Sequence, residues 1–315
     1  MAWSTSRRRF LQGLAATGAL LTGSPVLGRS SWTIHGAPRG SLRLVFYTDV
    51  HADPADGIPA ALARAAAAIN AQQADLVLGG GDLIRGGFGA TPAQVAPHWD
   101  TYMTLHAAIA GEHHAVVGNH DLVGVAPQDG SPPAEDPRRI YKRRLGVDRT
   151  YWSVDALGYR FLLLDSMHVS GDDYGYHGWV SPAQLAWIKE QLAGLPLETP
   201  LVLVLHMPLL TAFYGATEGA TAQAPPNRAV VNSVEVLELF AGRNLVLVLQ
   251  GHLHVTELVR WRGTSFITGG AISGGWWRGP YHGTAPGFNV LTLAPDRIAW
   301  DYVGYDWDGR GSQRP

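Results

Sequence analysis

The stretch Leu42-Arg43-Leu44-Val45-Phe46-Tyr47-Thr48-Asp49-Val50-His51 decides how this chain is read. Leu42 to Tyr47 is a short β-rich run, and two metal-competent side chains, Asp49 and His51, stand just past its end. The same design recurs four times downstream. Asp75 to Leu78 is a second strand, followed by Gly80-Gly81-Asp82. His113 to Val117 is a third, followed by Gly118-Asn119-His120-Asp121. Leu201 to Leu205 ends in His206, and Leu245 to Leu249 ends in Gly251-His252-Leu253-His254. These last two runs are continuously apolar, as in strands buried on both faces.

Helical patterns separate the first strands. Pro59 to Ala71 is alanine-rich without a breaker, and Pro59 suits a helix start. Thr91-Pro92 opens a second helical stretch, expected to break at Pro97 and resume from His98 to Ala110. Strand, helix, strand, helix, strand at this spacing predicts parallel pairing. Farther on, Tyr151–Val154 and Tyr159–Leu164 form a hairpin across Leu157-Gly158, and Pro182 to Leu192 is an amphipathic helix. From Val255 short strands alternate with Gly and Pro turns to Tyr305. The expected fold is α/β: two mixed β-sheets packed face to face as a sandwich, flanked by helices. The Gly/Pro-rich stretches 124–137 and 213–227 read as surface loops, because strands of one pattern lie on both sides.

Composition limits the chemistry. The 315 residues include 13 histidines and no cysteine, with 46% hydrophobic and 16% charged residues. That is too apolar for disorder and large enough for a sizeable core. A formal net charge of −2 gives no electrostatic footprint for a nucleic-acid polymer. Without cysteine there are no disulfides, thiolate metal sites or thiol nucleophiles. Any bound metal must take nitrogen and oxygen ligands.

Ligands of α/β sheets bind beyond the carboxyl ends of the strands. Five strand ends would bring Asp49, His51, Asp82, Asn119, His206, His252 and His254 to one rim. A purely structural role would require each of these buried polar groups to be hydrogen-bonded separately. Each block alone is weak; five in this order, each after a strand, are highly specific.

The series Asp-x-His, Gly-Asp, Gly-Asn-His-Asp, lone His, Gly-His-x-His resembles the calcineurin-like metallophosphoesterase superfamily, over about Leu42 to Tyr305. The resemblance implies a two-sheet sandwich and two metal ions, divalent or trivalent, with Mn, Fe or Zn suited to such shells. One ion would be held by Asp49, His51, Asp82 and His254, the other by Asp82, Asn119, His206 and His252, with Asp82 as the bridge. It further implies hydrolysis of organic phosphate esters by a hydroxide bridging the metals. His120 is then the acid that protonates the leaving oxygen, or a phosphate ligand. Asp121 either orients the His120 imidazole or caps a helix. A cyclic-nucleotide or other phosphodiesterase is the alternative within the superfamily; a non-catalytic phosphoryl-binding protein on the same scaffold is the distant one.

Departures from the family's branches narrow the substrate. Asp-x-His replaces the Asp-x-Gly of purple acid phosphatases, and Arg85 stands where their tyrosine falls. The arginines expected around the second and third blocks of protein phosphatases are Gly86 and Leu122 here. Arg85 is a candidate phosphate fork, or a solvated loop residue. Gly-Gly-Trp-Trp near Trp277 resembles a stretch in exported bacterial members; Trp277 could stack a planar group or pack in the core. His282 lies in the same loop and is a further candidate for substrate contact.

Ser6-Arg7-Arg8-Arg9-Phe10-Leu11-Gln12 and the mildly apolar stretch after it look like a signal peptide of the twin-arginine type. The expected organisation is a leader over 1–28, a catalytic domain over 40–306 and a polar tail over 307–315. The twin-arginine export machinery is then a partner, and the mature protein is periplasmic or secreted. Leader removal leaves 21 basic against 26 acidic residues, a balance near −5. The apolar run is too short and glycine-rich for a stable membrane anchor, and no cysteine is present to carry a lipid.

Overall fold

The computed structural model describes residues 26–34 and 40–307. The expected leader over 1–28 lies outside them except for residues 26–28, where a strand already begins. In chain order the first strands are β1 (Val26–Thr33), β2 (Leu42–Tyr47), β3 (Leu76–Gly79) and β4 (Glu112–Ala115). Then come β5 (Trp152–Ala156), β6 (Tyr159–Leu163), a small ribbon of β7 (Met167–Val169) and β8 (Tyr176–Gly178), β9 (Leu201–Val204) and β10 (Leu245–Gln250). The last are β11 (Glu257–Trp261), β12 (Thr264–Thr268), β13 (Gly287–Leu293) and β14 (Arg297–Gly304).

Two mixed six-stranded sheets result, as expected. One has the order β1-β14-β13-β2-β3-β4, with β2, β3 and β4 parallel. The other has the order β11-β12-β10-β9-β6-β5, parallel from β12 to β6 and antiparallel at both edges. The period of two in β2 explains the sandwich. Leu42, Leu44 and Phe46 enter the core between the sheets, while Val45 and Tyr47 face the outer core under the helices. β10 behaves alike: Leu247 and Leu249 point into the sandwich and Val248 outward. Each such fully buried side chain contributes about 1.5–3 kcal/mol relative to exposure. Double burial is why these strands read as unbroken apolar runs.

The helices are α1 (Ile58–Asn70), α2 (Pro92–Ala108), α3 (Arg139–Leu145), α4 (Pro182–Ala193), α5 (Phe213–Thr217) and α6 (Ser233–Glu238). α2 differs from expectation, running unbroken through Pro97. Pro97 removes one amide bond within the helix. The burial of Val95, Trp99 and Tyr102 on one side, and the cap of Thr91 N–H on Gln94 Oε1 (2.8 Å), hold the helix across it. The 213–227 loop is also not wholly irregular, since α5 opens it. The hairpin turn is as read, with Leu157 at φ 46° and Gly158 at φ 84°, matching the twist of β5 and β6. At the chain's end Trp307 is buried edge-on to Trp277, ring centroids 5.1 Å apart. The packed body thus reaches one residue into the expected tail; residues 308–315 lie outside the described ones. Among the described residues no helix is long and apolar enough to cross a membrane.

Candidate metal centre and its cleft

The parallel strands deliver their end residues to one rim, and backbone hydrogen bonds lace the loops together. Asp49 N–H donates to Gly81 O (3.0 Å), His51 N–H to Asp82 O (2.9 Å), and Gly251 N–H to His206 O (2.9 Å). Glycine is required where loops touch. A Cβ on Gly118 would lie 2.2 Å from Asp82 N, and one on Gly251 would lie 2.2 Å from Thr48 Oγ1.

All seven expected ligands are buried and converge. Asp49, His51 and His254 form one cluster of ligand atoms; Asp82, His206 and His252 form another; His51, Asp82 and His120 form a third between them. Asp82 belongs to two of these, as a bridging carboxylate would. Its Oδ1 accepts from His120 N–H (2.8 Å), while Oδ2 faces His206 Nε2 at 3.3 Å and His51 Nε2 at 3.7 Å.

The imidazole protons show what the cluster is built to hold. His206 Nδ1 lies 2.8 Å from Gly80 O, and His254 Nδ1 lies 2.5 Å from Gly274 O. A carbonyl only accepts, so both Nδ1 atoms carry hydrogen, and in the neutral ring Nε2 presents a lone pair. Those lone pairs meet other acceptors. His254 Nε2 lies 3.3 Å from Asp49 Oδ1 and 3.0 Å from His51 Nε2; His206 Nε2 lies 3.1 Å from Asn119 Oδ1. His252 repeats the pattern with its nitrogens exchanged: Nε2 donates to Asn227 O (3.1 Å), leaving Nδ1 3.2 Å from His206 Nε2. Asp49 Oδ1 and His51 Nδ1 are buried without a hydrogen-bond partner. Converging acceptors need cations between them, and this nitrogen–oxygen donor set fits Mn, Fe or Zn.

Without metal, protons take part of that role. Burial disfavours a charged His206, but the Asp82 and Asp49 carboxylates outweigh it and lift the imidazole to about 9. Burial is likewise outweighed at His254, raised chiefly by Asp49. Burial and the charge on His206 push His252 down to about 3, and burial with His120 holds His51 well below the ordinary value. Burial also opposes ionisation of Asp49 and Asp82. The neighbouring imidazoles, His254 for the first and His206 for the second, still hold both carboxyls well below the usual range.

His120 stands at the rim with its ring edge-on to His51, centroids 4.6 Å apart. Gly86 N–H donates to its Nδ1 (3.0 Å), so in the neutral ring the proton sits on Nε2. Burial lowers its pKa, favouring that neutral form. Of the two roles open to Asp121 from sequence, it does not take the first, since no hydrogen bond joins it to this imidazole, and it takes the second only in that it accepts backbone amides. Its Oδ1 accepts from Leu83 N–H (2.8 Å) and Ile84 N–H (3.2 Å), and its Oδ2 from Gly118 N–H (2.8 Å). Asp121 therefore braces the Asp82 loop against the Asn119 loop. Burial, with the Asp82 charge, pushes its carboxyl up to about 8 despite those donors.

The expected substrate contacts fare differently. Arg85 is 46% exposed and ion-paired with Asp53 at 3.2 Å, on the rim rather than in the cluster. Trp277 is not a stacking platform: it is 2% exposed and donates Nε1–H to His51 O (2.9 Å), fixing the backbone of a ligand. Its neighbour Trp276, half-buried, lies against the His254 ring at 4.4 Å. His282 does line the adjoining cleft of about 440 Å³, with Trp276, Tyr281, Phe213 and Arg228. Trp276 and Arg228 were missed from sequence. Arg228 could have been noticed as the one basic residue between 207 and 242.

A sandwich with buried His, Asp and Asn converging at its strand ends is the architecture of a metal-dependent phosphoester hydrolase. The family model described as calcineurin-like phosphoesterase matches residues 42–256, and the chain belongs to that family. Family and clusters together indicate a dinuclear metal site. The fold is similar to that of a dimetal phosphatase from Danio rerio, at 18% identity and TM-score 0.61, covering 86% of this chain and 98% of that one. It is also similar to the anchor in the inner membrane complex of Plasmodium, at 13% identity and TM-score 0.52, covering 85% and 86%. No curated protein sequence matches the chain.

Proposed function

We infer that this protein is an exported phosphoesterase that hydrolyses small organic phosphate esters. The observation that carries the reading is the convergence of His206 Nε2, His252 Nδ1 and His254 Nε2 on Asp49, Asp82 and Asn119, each imidazole having its other nitrogen taken by a backbone carbonyl. Asp49, His51, Asp82 and His254 would hold one cation, and Asp82, Asn119, His206 and His252 the other. Bound there, the pair supplies Lewis-acid activation of water and neutralises charge on the phosphoryl oxygens.

The protein's own groups do the rest. The Gly80 and Gly274 carbonyls fix two imidazole tautomers, and Trp277 holds the His51 backbone. His120, neutral with its proton on Nε2, is suited to protonate the departing alkoxide as water attacks from the opposite side. Gly86 N–H fixes the orientation of that ring, and Asp121 fixes the loops that carry His120 and Asp82. Export rests on the twin-arginine pattern at Arg7 to Leu11.

The test is to assay the Mn-loaded chain against nitrophenyl phosphate and bis-nitrophenyl phosphate. Turnover of the first alone assigns a monoesterase, and preference for the second a diesterase. Turnover of neither, with two metals bound per chain, overturns the enzymatic reading.

A further inference from the structure

We propose that the cleft beside His252 is a pocket for phosphate esters of uncharged planar alcohols, with Arg228 pairing the phosphoryl oxygens and Trp276 and Tyr281 stacking on the alcohol. Arg228 is half-buried, and its Nη1 lies 3.5 Å from His252 Nε2. Among the described residues no carboxylate lies within ion-pair distance of it. A guanidinium partly withdrawn from water, beside a centre that gathers cations, is unfavourable until an anion arrives. The phosphoryl group that reaches the centre is that anion, and a guanidinium fork matches two of its oxygens. Arg85 is placed differently, half exposed to water and already partnered by Asp53.

The rest of the cleft specifies what the phosphate is attached to. Trp276 is set against His254, and Tyr281 meets Trp276 edge-on at 5.8 Å. Tyr281 is held by a reciprocal backbone pair with Thr284 (2.9 and 2.8 Å), so this wall is formed before a ligand binds. Phe213, edge-on to His282 at 5.1 Å, adds to the aromatic lining. About 440 Å³ falls within the range of small-ligand pockets and suits one ring system. Glu218, exposed and lining the cleft, disfavours a second anionic group there. That selects a neutral alcohol over one carrying further phosphates.

The proposal rests on the hydrolytic reading for the fate of the ligand, but its binding is tested separately. Phenylphosphonate and methylphosphonate, whose C–P bonds resist hydrolysis, are titrated calorimetrically into the Mn-containing full chain. Phenylphosphonate is expected to bind about 10-fold more tightly, the worth of one stacked ring. Tyr281→Leu and Trp276→Leu should erase most of that preference and leave methylphosphonate unchanged. Arg228→Met should weaken both ligands by about 10- to 100-fold. Tyr281→Leu touches His254 only edge-on at 6.1 Å, against 4.4 Å for Trp276, so it remains informative if Trp276→Leu disturbs His254, and unchanged Mn stoichiometry in each variant shows that the site is intact. Equal affinity for the two phosphonates overturns the aromatic pocket, and unaltered binding in Arg228→Met overturns the arginine's role. If both hold while neither nitrophenyl ester turns over, the pocket stands and the hydrolytic reading falls.

Discussion

Five of the seven ligand residues (Asp49, His51, Asp82, His252 and His254) have left-handed backbone, with φ between 45° and 71°. Each such non-glycine residue costs of order 1 kcal/mol, least for aspartate. Strain of this size at one rim is maintained by the surrounding hydrogen bonds and packing, and it turns the side chains inward. At this scale His120 and Asp121 separate. His120→Ala is expected to slow hydrolysis of alkyl phosphates about 10²- to 10⁴-fold and of nitrophenyl phosphate far less, because nitrophenolate leaves unaided. Equal losses for both would refute it as the acid. Asp121→Ala should show no such leaving-group dependence. It orphans backbone amides at about 1–3 kcal/mol each and should lower the urea midpoint at unchanged m-value. Adjacent tryptophans show why sequence left Trp277 open between cleft and core and passed over Trp276: both have positive φ, at 65° and 50° respectively. Consecutive side chains then face different surroundings, and residue identity alone does not say which one reaches the cleft.

At the level of elements, strands ending in polar residues were the most legible feature. β2, β9 and β10 carry their burial in their composition, and the blocks after them carry the ligands. Pro97 within α2 was not legible, because tertiary burial of Val95, Trp99 and Tyr102 overrides a local breaker. β1 had no pattern of its own: its pairing partner, β14, lies near the other end of the chain. Arg228 escaped for a similar reason, being brought to His252 only by the fold. The connecting loops yield a sharp prediction. Gly118→Ala places a methyl 2.3 Å from Asp82 Oδ1, so Asp82 or the Asn119 loop must move. Calorimetry should show loss of at least one Mn site, and wild-type stoichiometry with wild-type affinity would contradict the account.

Across the whole molecule, Asp49 and Asp82 come from one sheet and His206, His252 and His254 from the other, so metal held by them would tie the two sheets together. Mn at about 100 times its Kd should add about 2.7 kcal/mol, or roughly 4 °C in Tm for a chain of this size. Chelation should reverse the gain, and Asp82→Ala should abolish it. A separate pH effect arises far from the rim. Burial, then the neighbouring His106 and His114, push His113 from its ordinary 6.5 down to about 3, while Tyr47 hydrogen-bonds its Nε2 at 2.6 Å. Between those values the unfolded chain binds the proton and the folded one does not. Its contribution is therefore complete above about 6.5 and is lost progressively as pH falls toward 3. His113→Gln should flatten the fall of the urea midpoint across that window, and an unaltered profile would remove His113 as the cause.

The pairing of β1 with β14 also sets an order of events during synthesis. Val26 to Thr33 finds its partner only when Arg297 to Gly304 has been made, a closure that comes late because it joins the two ends of the chain. Until then Val26 to Thr33 has no sheet edge to join. Docking of β1 therefore marks the completion of β14, and exchange protection of the Val26 to Thr33 amides reports whether the last strand is in place.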